Sequence, residues 1–255
     1  MILVIDVGNS NTVLGLYDDG SRVTHWRIHS NQNATADEYR LTFRTLFSYA
    51  GIDTQGIRQV LIGSVVPALT TTLAEAVSGF LPARPGVLGP ETALPIAVAT
   101  ENPAEVGADL IANAVAAYER SRGPCIVVDF GTALTFTAVD GGGRLLGASI
   151  APGLRTAGQA LALGTAQLPD IAVSPPERAI GHDTPSALRS GLGIGFRGLV
   201  RELVGQMDRE LGGGSRVYAT GGLSDALTPE IPEIHQLDPW LTLDGLRLIA
   251  EHNAP

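Results

Sequence analysis

Two stretches of the chain end an apolar run on an aspartate and follow it with small polar residues. The first, ILVIDVGNSNTVLGL, contains Asp6, Val7, Gly8, Asn9, Ser10, Asn11, Thr12 and Val13; the second, CIVVDFGTALTF, contains Asp129, Gly131, Thr132 and Thr135. In both, a glycine stands two positions after the aspartate and a threonine six. Small residues let backbone N–H groups approach phosphate oxygens, and Ser10, Asn11, Thr12, Thr132 and Thr135 add side-chain donors. A carboxylate repels phosphate, so Asp6 and Asp129 read as ligands for Mg²⁺ or another cation, directly or through water. A third stretch, TGGL at 220–223, offers bare backbone at Gly221 and Gly222 against which adenosine can lie. Taken singly, Gly8-Asn9 is also an ordinary hairpin turn, and TGG an ordinary strand-to-helix turn.

The elements that must position these residues are visible in the flanks. Ile2 to Ile5, and Val13, Leu14, Leu16 and Tyr17, read as strands, which makes Asp6 to Thr12 a hairpin connection. The second acidic stretch repeats this about half a chain later, a sign of duplicated halves. Each half also has a strand that runs into a helix: VLIGSVVPALTTTLAEAVSGF through Pro67, and RVYATGGLSDAL through Gly221-Gly222. The expected fold is α/β, with two domains, 1–114 and 115–255, each built on a central mixed sheet. Two matched hairpins would then clasp the phosphates of one nucleotide from both sides of an interdomain cleft.

Composition narrows the function. A net charge of −9 without any basic run argues against a nucleic-acid surface. All 17 basic residues are arginine, which excludes a Walker A lysine. No apolar run approaches the roughly 18 residues of a membrane span, and Asp6 interrupts the apolar N-terminus, so a soluble, cytoplasmic protein is expected. Cys125, the single cysteine, sits in an apolar run and reads as a small core residue. The five histidines show no zinc spacing.

The ordered motifs DVGNSNTVLGLYDDG, SVVPAL, ENPAEVGAD, VVDFGTA, the PG of SIAPGL, TGGL and LDPWLTLDGL resemble type III pantothenate kinase over essentially the whole chain. That family shares the duplicated actin-like, ribonuclease H-like fold of actin, sugar kinases and heat-shock chaperone ATPases. The resemblance implies transfer of the γ-phosphoryl of ATP to pantothenate, giving 4'-phosphopantothenate for coenzyme A, with Mg²⁺ and a monovalent cation, K⁺ or NH₄⁺, by a homodimer. It implies Asp109 as the general base, Asp129 as the monovalent-cation ligand, Asp6 to Val13 and Thr132 as ATP contacts, and Thr184 as a substrate contact near the dimer interface.

The residues allow plainer readings beside these. ENPAEVGADLIANAVAAYERS begins a helix at Asn102-Pro103 or at Gly107, which makes Asp109 also an ordinary acid at a helix N-terminus. A long helix starts at Asp183-Thr184-Pro185, and a dimer contact or an internal core position would suit it equally. The chain also departs from the family on the acceptor side, where Thr100, Gly107, Ala108, Asp109 and Leu110 would meet substrate. Leu110 replaces the family's arginine and Thr100 its tyrosine, while Leu134 and Ala151 each replace a common threonine. Losing a charged hydrogen-bond partner costs about 1.5 to 3 kcal/mol. Arg155, in PGLRTAG, is a candidate replacement charge. The alternative function is therefore a nucleotide-binding relative with another acceptor, or a regulatory protein without turnover.

Overall fold

The computed structural model describes residues 1–172, 174–222, 224 and 230–254. Along the chain run β1 (Ile2–Val7), β2 (Asn11–Asp18), β3 (Ser21–His29), α1 (Ala36–Tyr49), β4 (Gln59–Ser64), α2 (Pro67–Ser78), β5 (Pro85–Val87), β6 (Ala97–Val98), α3 (Ala108–Ser121), β7 (Cys125–Phe130), β8 (Ala133–Val139), β9 (Arg144–Pro152), α4 (Leu154–Gly164), α5 (Thr184–Glu210), β10 (Arg216–Thr220), β11 (Gln236–Leu237) and α6 (Leu241–His252). They form two compact units. The first joins residues 1–97, 101–116 and 241–254, and the second joins 98–100 and 117–240. In place of the expected division after residue 114, the main break falls after 116, and the C-terminal helix returns to the first unit.

In the first unit the sheet order is β3-β2-β1-β4-β5, antiparallel from β3 to β1 and parallel from β1 to β5. Strand β1 is apolar almost without interruption because both of its faces are covered. Leu3, Ile5 and Val7 share a core with Phe43 and Phe47 of α1 and with Leu69 and Leu73 of α2. On the opposite face lies α6, whose Leu246 meets Gly63 and whose Leu243 meets Gly15. Gly245 of α6 packs directly on the Ala112 carbonyl of α3, and Thr242 hydrogen-bonds the fully buried Asn113 at 2.8 Å.

In the second unit the order is β11-β10-β7-β8-β9-β6. From β9 to β11 it repeats the first sheet strand for strand, with an antiparallel meander β7-β8-β9 and parallel partners β10 and β11. The duplication read from the two acidic hairpins is thus present in topology. Its core joins Ile126, Val128, Phe130, Leu134 and Phe136 to Leu154 of α4 and to Val200 and Val204 of α5. Cys125 is fully buried, which pushes its thiol up to about 11, as expected for an inert core residue. Among the described residues, no helix is long and apolar enough to cross a membrane.

Candidate active site

The first loop is shorter than the sequence implied. Strand β1 continues to Val7 and β2 begins at Asn11, leaving Gly8, Asn9 and Ser10 as the turn. The Gly8 N–H bonds the Asn11 carbonyl at 3.0 Å and closes it. Behind the turn stands Ser30, just past β3. Its hydroxyl donates to the Gly8 carbonyl at 2.7 Å and lies 2.9 Å from the Thr12 hydroxyl, while its N–H bonds Ser10 O at 3.0 Å. Thr12 is 0% exposed, so its hydroxyl braces the turn and does not serve as the phosphate donor expected of it. Val7 and Val13 are buried in the same way, which leaves their backbone as the part a ligand can meet. Asn9, Ser10 and Asn11 are the exposed groups, and Asp6 is half-buried at the base of the turn.

Asp109 belongs to the same unit. Helix α3 begins at Ala108, the later of the two expected starts, and a separate tight turn occupies Pro103–Glu105. The Ile111 N–H bonds the Gly107 carbonyl at 3.1 Å, which sets Asp109 in the first helical turn. Its Oδ1 accepts from the Leu110 N–H at 2.8 Å. Burial nonetheless dominates and pushes the carboxyl above the usual aspartate range, with the N–H groups of Leu110 and Asp109 pulling the other way. A side-chain carbon at Gly107 would come 2.5 Å from Asp109 Oδ1 and 3.5 Å from Val65, whose own N–H bonds the Val7 carbonyl at 3.1 Å. Through Val65, the start of α3 and the first turn share one anchorage. Ala108 and Leu110 are each 8% exposed, so the family's arginine position holds a core side chain.

The second unit contains the second loop. Asp129 pairs with Thr135, Phe130 with Leu134, and the Gly131 N–H bonds the Ala133 carbonyl at 3.1 Å. In the first loop Asp6 pairs with Val13 and Val7 with Thr12. The first turn is therefore one residue longer, and the structural counterpart of Thr12 is Leu134 rather than Thr135. Thr132 is exposed at the tip. Its carbonyl accepts from the Gly153 N–H at 3.0 Å and the Thr156 hydroxyl at 2.6 Å, which fastens the start of α4 to the loop.

Beside it runs the third motif. Thr220 pairs with Asp129 across parallel strands, and Gly221 follows at φ +95. A side-chain carbon there would lie 2.5 Å from Asp129 Oδ1 and 2.6 Å from Phe130 N, so only glycine can make this turn so close to the acid. Gly222 is described and Leu223 lies outside the described residues, as does most of the helix expected after it. Thr184 opens α5 beside Asp183, whose carboxylate caps the helix by accepting from the Ser186 N–H at 2.7 Å. Thr100 lies in the second unit, with its Oγ1 buried and without a partner.

Neither Ser30 nor Val65 was singled out beforehand, since each reaches its loop through tertiary pairing. The carboxylates fit a hard cation held partly by phosphate oxygens and water. Among the described residues no group of three or more His, Cys, Asp or Glu side chains could form an all-protein metal cage.

Comparison with known proteins agrees with this architecture. A family model, "Type III pantothenate kinase", matches residues 2–206. The type III pantothenate kinase of Moorella thermoacetica is 45% identical over 99% of this chain and 100% of its own, and that of Geobacter sulfurreducens is 43% identical over 99% of each. A ROK family glucokinase from Streptomyces griseus, solved with glucose and AMPPNP, superposes with a TM-score of 0.54 at 16% identity, covering 98% of this chain and 100% of that one, a likeness of fold within the actin-like kinases. With duplicated sheets, paired Asp-x-Gly turns and near-complete alignment to these relatives, the chain belongs to the type III pantothenate kinase family.

Proposed function

We propose that this protein transfers the γ-phosphoryl group of ATP to the primary hydroxyl of pantothenate, yielding 4'-phosphopantothenate and ADP. The observation that carries this reading is the match over 99% of the chain to type III pantothenate kinases. One nucleotide engages both turns, through backbone N–H groups around Gly8 to Asn11 and around Thr132, with the Gly221-Gly222 backbone against adenosine. Asp109 accepts the hydroxyl proton as the oxygen attacks the γ-phosphorus, and the bond to the bridging oxygen breaks to release ADP. Its raised pKa brings the base nearer the working pH than an ordinary aspartate. The protein otherwise acts by positioning and by stabilising charge on the transferring group.

Asp6 and Asp129 would hold the cations. Mg²⁺ would supply charge neutralisation at the phosphates, and a monovalent cation, K⁺ or NH₄⁺, would sit at Asp129. Thr184 contributes to the acceptor site of a homodimer. Purified protein supplied with ATP, Mg²⁺, K⁺ or NH₄⁺, and pantothenate should release ADP with an acceptor product heavier by one phosphoryl group. Absence of pantothenate-dependent ADP at millimolar acceptor would overturn the proposal.

A further inference from the structure

With Leu110 buried where the family has an arginine, the acceptor's carboxylate needs a cation from elsewhere in the chain. We infer that it is received within the second unit, in the cavity between α4 and α5, by Arg189 with support from Arg155. The inference rests on pantothenate being the acceptor.

The cavity measures about 430 Å³, within the roughly 300 to 1,000 Å³ range of small-molecule sites. Leu154, Ile171, Leu192, Pro175 and Pro176 give it apolar walls. Its charges do not balance: Arg155, Arg189 and Arg197 face Asp170 and Glu230. Arg197 is already paired with Glu230. Arg189 is half-buried, and its Nε is buried with no hydrogen-bond partner. A buried guanidinium N–H without an acceptor is costly, and a carboxylate is the group whose two oxygens match that fork. Arg155 is exposed and forms no ion pair among the described residues.

Position connects the cavity to the reaction. Its walls begin at Leu154 and Arg155, which lie between Gly153 and Thr156, the two residues fastened to the Thr132 carbonyl. An acceptor hydroxyl that meets the terminal phosphoryl at this loop starts at the mouth of the cavity. Its aliphatic body then follows the leucines and prolines, and its far end reaches Arg189. A polyphosphate would gain little from such walls. An extended molecule with a hydroxyl at one end, a carboxylate at the other and apolar groups between satisfies every part of the site.

The test compares kcat/KM for pantothenate with that for the analogue whose carboxylate is replaced by a neutral primary amide. Wild type should favour the carboxylate by about tenfold or more, the fold-change expected for one charged hydrogen-bond partner. Arg189→Gln should bring the ratio close to one by raising KM for pantothenate while KM for ATP stays put, and Arg189→Lys should recover part of it. Arg155→Gln, at an exposed position that cannot disturb the core, should lower the ratio less. If both glutamine variants phosphorylate pantothenate with the wild-type ratio, the subsite is refuted and the kinase reading stands. A wild type that phosphorylates neither compound refutes both.

Discussion

Asp109 shows how one residue can trade stability for chemistry. Its carboxyl is held above the ordinary aspartate value by burial, so the fold favours its protonated form. The stability linked to this group is fully present below the unfolded value of about 3.9 and is lost as pH rises through the higher folded value. At neutral pH the charged carboxylate is therefore a cost, and Asp109→Asn should melt above wild type, with the gain disappearing as pH falls below about 4. The same variant should transfer no phosphoryl group and keep its nucleotide affinity. A melting difference independent of pH would contradict the burial argument. The acid limb of kcat/KM in the wild type should likewise lie above that of an unperturbed aspartate. Thr12 teaches the opposite lesson. Its spacing after Asp6 resembles that of Thr135 after Asp129, yet an extra turn residue sends its hydroxyl into the scaffold with Ser30.

Elements anchor these residues, and the glycines of the helices divide into two kinds. Gly245 of α6 lies against the backbone carbonyl of Ala112, which cannot rotate away, so Gly245→Ala must push α6 and α3 apart. Alanine gains about 1 kcal/mol in helix propensity, but overpacking costs about 1–3 kcal/mol, and a backbone obstacle puts this site at the upper end. The variant should unfold at lower denaturant and lose kcat/KM, because α3 carries Asp109. Gly205 of α5 is the control. A side-chain carbon there meets only the tip of Arg209, at 3.7 Å, so Gly205→Ala should stabilise by up to about 1 kcal/mol. Equal effects in urea titrations would refute the packing account. Local signals foretold the Pro67 start of α2 and the Asp183 cap of α5, since caps and first-turn prolines act within a few residues.

At the scale of the whole molecule, the homodimer implied by the resemblance has a plausible surface in α5. Gly191, Gly195 and Gly198 have open space where a side chain would begin, and Ile194 beside them is 38% exposed. Leu163, at the end of α4, is 89% exposed. Light scattering should give a mass twice the 26.5 kDa of one chain. Gly195→Arg should reduce that mass to one chain and lower activity, and a monomeric wild type would rule the assembly out. Removing divalent ions with EDTA should stop transfer, whereas removing K⁺ and NH₄⁺ should weaken it if Asp129 holds a monovalent cation.

The sequence by itself determined the duplicated α/β plan, the two acidic turns, the inert cysteine and the family, because each is written in short-range patterns of polarity, glycine and spacing. Only the tertiary structure decided which hydroxyls brace a loop and which face outward, that the C-terminal helix returns to the first unit, and that Leu110 is core. These depend on partners distant in the chain, such as Ser30 for Gly8, Val65 for Val7 and Ala112 for Gly245, and no local pattern encodes a contact whose other half lies on another element.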